Sequence, residues 1–194
     1  IHSIFILFAV MAFVPLPFAR LLSTRRGEAA RPGDAVEKHN RSRQAAAIFS
    51  LFFFFVAVTG VWAYVSIIGV NKGLSEQTAA NGLTLAQFGG IAGGLSVGLL
   101  IDKLGRIPAA ILCFLTLIIP VLALLGPFDA SLFAILLIVM TFGWAAGQPI
   151  LLGAAAKVDS TGRVMLFAVA FQSLGLSLGP AAAAFVMNRD RKSV

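Results

Sequence analysis

Four stretches of this 194-residue chain set hydrogen-bonding and aromatic side chains at helical spacing within otherwise apolar sequence. Thr59, Trp62 and Ser66 recur at i, i+3 and i+7, which puts them on one face of a helix. Asn81, Thr84 and Gln87 lie close together on a second stretch, and Thr141, Trp144 and Gln148 repeat the first spacing on a third. On a fourth, Gln172, Gly175 and Gly179 follow the same rule. Hydroxyls, amides and indoles can hold a neutral polar or amphipathic molecule by hydrogen bonding and stacking. They cannot by themselves supply acid–base chemistry, and these stretches contain no Asp, Glu, Lys, Arg or His. An enzyme working within a membrane would need ionisable groups there, so catalysis is not expected. There is no phosphate-binding glycine loop, metal-ligand cluster or Ser/His/Asp arrangement, and neither cofactor nor metal is expected. Each Gln, Ser or Thr taken singly could equally serve as an interhelical hydrogen bond, a role worth under about 2 kcal/mol.

The elements that carry these residues are set by composition. Hydrophobic residues make up 59% of the chain and charged ones 12%, too few to cover a water-facing surface. Six apolar runs can be marked, at 1–19, 45–70, 78–101, 107–125, 131–156 and 164–187, all without Asp, Glu, Lys or Arg. Each can cross a hydrocarbon layer about 30 Å thick as a helix. This predicts an all-α, polytopic membrane bundle of six transmembrane helices, and excludes a soluble enzyme, a coiled coil and a disordered chain. The net charge of +7 lies at the ends of the runs, so it is not a nucleic-acid footprint. Asn71-Lys72-Gly73 closes the second run, Ser75 can cap the third, Gly126-Pro127-Phe128-Asp129 makes a tight turn, and Asp159-Ser160 can cap the sixth. Trp62 and Trp144 sit well inside their runs and read as packing or cavity residues rather than an interfacial belt.

Glycines mark where helices could touch. Gly90, Gly94 and Gly98, with Gly89 and Gly93 beside them, form stripes of small residues that read as close-packing surfaces. Gly175, Gly179 and Pro180 are assigned to packing as well. The alternate loops differ in charge: 20–43, 102–106 and 157–163 hold eleven Lys and Arg, the remaining connections and the tail four. The positive-inside rule places those three loops in the cytoplasm. The chain starts at Ile1, already inside an apolar run, without Met or a charged leader, and ends soon after the sixth run. Both ends suggest an internal piece of a longer protein.

The join between the third and fourth runs reads Gly98-Leu99-Leu100-Ile101-Asp102-Lys103-Leu104-Gly105-Arg106. Gly98 lets two helices approach, Gly105 permits a very tight turn, and Asp102 at a helix end can meet the positive N-terminus of a neighbouring helix. This stretch resembles the cytoplasmic loop motif of the major facilitator superfamily, G-x-x-x-D-[RK]-x-G-[RK]-[RK], with Ile107 where the last basic residue would stand. A basic loop followed two spans later by this motif makes the chain resemble helices 6 to 11 of a twelve-helix member. The resemblance implies that 1–19 is the last helix of the N-terminal half, 20–44 the central cytoplasmic loop, and 45–194 a C-terminal half-bundle lacking its last helix. Gly175-Leu176-Ser177-Leu178-Gly179-Pro180 also resembles, more weakly, a G-x-x-x-G-P stretch of some exporters.

On that register the four polar runs are similar to cavity-lining helices 7, 8, 10 and 11, and the two plain runs to outer helices. Substrate-cavity candidates are therefore Thr59, Trp62, Ser66, Thr84, Gln87, Thr141, Trp144, Gln148 and Gln172. Gly98, Asp102, Lys103, Gly105 and Arg106 form a gating loop. The resemblance implies secondary active or facilitative transport of a small solute by alternating access, in a membrane such as the bacterial cytoplasmic membrane. The expected partners are the lipid bilayer, a small-molecule substrate and the missing N-terminal half, where a coupling carboxylate would lie unless the protein is a facilitator that needs none. The other reading of these residues is a non-transporting helical membrane protein, an assembly partner or receptor.

Overall fold

The computed structural model describes residues 34–159 and 162–192. These form five helices: α1 (Asp34–Asn71), α2 (Glu76–Leu104), α3 (Arg106–Ala123), α4 (Ala130–Val158) and α5 (Arg163–Lys192). All five contain a stretch long and apolar enough to cross a membrane. The expected first span, 1–19, lies outside the described residues. The other five runs correspond to α1 through α5, and three helices extend well past their runs: α2 to Leu104, α5 to Lys192, and α1 most of all. α1 begins at Asp34, inside the 20–44 stretch read as loop, while its spanning part begins only at Arg41. A helix bonds its own backbone, so it can continue past the hydrocarbon edge on polar residues that hydropathy assigns to a connection.

The helix ends are closed by local side chains. Ser75 Oγ accepts from the Thr78 amide at 3.1 Å and starts α2. Asp129 Oδ1 accepts from the Leu132 amide at 2.7 Å and starts α4. Ahead of α5, the Asp159 carboxylate accepts from the Gly162 amide at 2.7 Å and from the Met165 amide at 2.9 Å. Gly105 alone separates α2 from α3, with φ +83°, a backbone region that side-chain-bearing residues avoid.

Packing pairs α2 with α4 and α5 with α1, while α3 and α1 both lean on α4. Between them, Leu51, Phe54, Phe114, Phe133, Leu137, Met140 and Ile150 are fully buried, and Phe54 meets Phe114 edge-on at 5.8 Å. The α2–α4 seam is narrow because Gly89 lies against the Ile138 carbonyl and Gly93 against the Phe142 backbone. The α1–α5 seam is equally close, with Gly175 against Phe52 and Val56, and Gly179 against Val56 and Thr59. Such approaches are the usual means by which membrane helices gain contact, since lipid offers no hydrophobic drive. Gly90, Gly94 and Gly98, expected as the packing stripe, meet nothing within 4 Å of where a Cβ would stand. The contact runs instead along Gly82, Ala86, Gly89 and Gly93, all buried. Both stripes have small residues at i+3 or i+4 spacing, and only the rotation of α2 about its axis chooses between them.

Candidate functional site

A cavity of about 480 Å³ opens among α1, α2, α4 and α5, and α3 contributes none of its lining. α1 supplies Phe55 and Trp62, and α2 supplies Gln87 and Gly90. Thr141, Trp144, Ala145 and Gln148 come from α4, and Gln172 and Leu176 from α5. All lie near the middle of their spans. The volume falls within the ~300–1,000 Å³ usual for small-molecule sites. At the cavity the Trp62 and Trp144 rings meet edge to face, 5.9 Å between centroids at 67°.

The polar groups differ in how far they are committed. The Thr141 hydroxyl donates across the seam to the Ala86 carbonyl, with the Leu137 and Ile138 carbonyls of its own helix also within reach. Gln87 Nε2 reaches only its own helix, donating to the Leu83 carbonyl over 3.4 Å, long for such a bond. The Gln172 side-chain oxygen is buried and has no hydrogen-bond partner among the described residues.

Of the nine candidates named from sequence, Trp62, Gln87, Thr141, Trp144, Gln148 and Gln172 are brought together here. Thr59, Ser66 and Thr84 stand elsewhere. Thr59 is buried in the α1–α5 seam, donating to the Phe55 carbonyl at 2.7 Å with the Gly175 carbonyl 3.4 Å away. Thr84 is exposed and donates to Ala80 of its own helix at 3.1 Å. Ser66, half-buried, lies one turn beyond Trp62 and outside the lining. Helical spacing holds residues to a face roughly 60° wide, and a face that broad on α1 touches both the seam and the cavity. Phe55, Gly90, Ala145 and Leu176 were missed because they carry no polar atom. The usable signal was spacing: Phe55 lies two turns before Trp62, and Leu176 one turn after Gln172.

At one end of the bundle Asp102, Lys103 and Leu104 are the last residues of α2 and Arg106 the first of α3, so the stretch read as a loop is helical except for the turn at Gly105. Asp102 and Lys103 are exposed, and Asp102 has neither a hydrogen bond nor an ion pair among the described residues. The Arg106 guanidinium lies over Gly153 of α4, with Nε and Nη1 buried and without a hydrogen-bond partner among the described residues.

Bilayer-length helices packed by glycine seams around a polar and aromatic cavity define a class, the multi-pass integral membrane proteins. Comparison with known proteins narrows it. The family model described as the Major Facilitator Superfamily matches residues 1–180, and the chain belongs to that family. It is also similar to the Arabidopsis thaliana protein named "Putative glycerol-3-phosphate transporter 5", 28% identical over 145 residues. That match takes in 68% of this chain and 29% of the relative, so the chain spans less than a third of that protein's length. No solved structure matches the chain.

Proposed function

We propose that the chain is most of the second half of a transporter that carries a small solute across a membrane by alternating access. On this reading 1–19 is the last helix of the first half, 20–44 the cytoplasmic central loop and 45–194 the half-bundle, with 102–106 and 157–163 also cytoplasmic. The observation that carries the proposal is the cavity: six of the polar and aromatic residues singled out from sequence converge mid-span on four helices. Solute sites at the bilayer midplane, between two repeats that rock against each other, are the design of many secondary transporters. Family membership and the relative's name support transport in general. Gly98, Asp102, Lys103, Gly105 and Arg106 would form the gate, with Asp102 meeting a helix of the missing half.

Accessibility tests this without knowing the solute. A Gly90→Cys variant of the full-length protein carries its thiol at the cavity wall, while Cys113, the free cysteine of the described residues, is buried. In right-side-out and inverted vesicles a membrane-impermeant maleimide is expected to label the new thiol from both sides. Labelling from one side only, under all conditions, would contradict alternating access.

A further inference from the structure

We propose that Arg43 and Arg106 form a binding site for the phosphate group of an anionic lipid, at the end of the bundle that carries the Gly105 turn. The site starts from two guanidinium groups that meet no partner. Arg43 Nε and Arg106 Nε and Nη1 are buried without a hydrogen bond among the described residues. Both residues are half-buried, and the nitrogens left outside that enclosed set are Arg106 Nη2 and the two terminal nitrogens of Arg43. A ligand reaches the pair from that side. Guanidinium groups stay charged at physiological pH, and enclosing part of one is costly unless an anion stands beside it.

Packing brings the two arginines to one place. Phe54 of α1 and Cys113 of α3 both lie against Gly147 of α4, which puts them at one level of the bundle. Arg43 stands three turns before Phe54 on the same stripe of α1, and Arg106 two turns before Cys113 on the same stripe of α3. At 1.5 Å of rise per residue, those intervals set their backbones about 6 Å apart along the bundle. The Arg106 guanidinium rests over Gly153, and Gln44, next to Arg43, donates from Nε2 to the Val158 carbonyl at 3.1 Å. Both arginines therefore flank the last two turns of α4. There α1 and α3 each pack on α4 and hardly on each other, leaving a groove that Phe54 and Phe114 close deeper in the span.

The neighbouring charges call for an anion from outside the bundle. Of the acidic residues whose side chains are described at this end, Asp102 is exposed and meets neither arginine, and Asp159 accepts from the amides of Gly162 and Met165. Lys103 and Lys157, both exposed, add to the positive field. The planar fork of arginine matches the oxygens of a phosphate. Position favours a lipid as the source. The spanning parts of α1 and α3 begin at Arg41 and Arg106, so the groove opens at headgroup depth. Ile111 and Leu112, exposed within two turns of Arg106, offer apolar surface to acyl chains, which a free phosphate would leave unused. Basic pockets between membrane helices hold anionic headgroups in this manner.

Lipid titration of the delipidated full-length protein tests the site, with adducts counted by native mass spectrometry. Dioleoylphosphatidylglycerol is expected to bind severalfold more tightly than dioleoylphosphatidylcholine, and millimolar inorganic phosphate to displace little of it. Arg43→Gln and Arg106→Gln should each weaken phosphatidylglycerol binding about fivefold, the effect of one basic residue near an anionic headgroup, with phosphatidylcholine binding unchanged. Arg106→Lys, which keeps the charge, should recover part of that affinity. Glutamine variants that melt at lower temperature yet keep the wild-type preference between the two lipids would make the arginines structural and overturn the site. If inorganic phosphate displaces the lipid and raises the melting temperature as far as phosphatidylglycerol does, the lipid assignment falls and a free phosphate takes its place. Equal binding of the two lipids by the wild-type protein would also overturn the proposal, and destabilised glutamine variants in that case would assign the arginines to a carboxylate of the full-length chain.

Discussion

Glycine is the residue whose role here depends most on where it points. Gly89 and Gly179 each hold backbone of a partner helix against the place a side chain would fill, whereas Gly94, one turn from Gly90 on the same helix, faces open space. Adding bulk at the first two must push helices apart, and overpacking of that kind costs about 1–3 kcal/mol. Gly89→Val and Gly179→Val are therefore expected to lower the detergent melting temperature of the purified protein by several degrees. Gly94→Ala should leave it unchanged if the described bundle accounts for that surface. A destabilised Gly94→Ala would mean that another helix covers the stripe. The same dependence on direction explains why Thr59 and Trp62, neighbours on one helical face, divide between a seam and a cavity.

Among the elements, the connections on the side opposite the Asp102 loop are joined by one side chain. Lys72, just beyond α1, donates from Nζ to the carbonyls of Leu124, Leu125 and Gly126 at 2.8, 2.7 and 2.6 Å. These groups follow the end of α3, where the helix dipole is negative and carbonyls lack helical partners. The ammonium also lies 5.0 Å from the centre of the Phe128 ring. One cation thus ties the α1–α2 connection to the turn between α3 and α4. Lys72→Met keeps the apolar stem and removes the charge, at a cost of about 1 kcal/mol for a partly solvated site. Faster hydrogen exchange across 124–132, with the interior of α4 unaffected, is the expected signature. Unchanged exchange there would show that the turn holds without the lysine.

At the scale of the whole molecule, the described bundle leaves broad apolar faces uncovered. Leu95 on α2 is 80% exposed and Leu166 on α5 is 74% exposed, a surface suited to lipid or to further helices rather than to water. Asp102 is likewise exposed and without a partner among the described residues. If the proposed gate is right, its partner is the positive end of a helix in the other half, an attraction worth about 0.3–1 kcal/mol. Asp102→Ala in the full-length protein should then slow solute exchange severalfold while membrane insertion stays normal. Wild-type exchange rates in that variant would remove the gating role from the loop.

What could be read from sequence, and what could not, divides along a physical line. The five described spans, the caps at Ser75 and Asp159 and the turn at Gly105 were legible because each depends on local causes. A membrane helix satisfies its own backbone, its length is set by apolar residues in a row, and Ser75 and Asp159 cap from within a few positions. Within the loop motif only the turn was legible in this way, because it depends on Gly105 alone. The rotation of each helix about its own axis is not local. It is fixed only when side chains of one helix meet the grooves of another, and that contact placed Gly89 rather than Gly90 in the seam, took Thr59 out of the cavity and brought Phe55 and Leu176 into it. Tertiary packing alone decided, too, that the Gln172 oxygen would be buried without a partner, because its surroundings come from helices far apart in the chain.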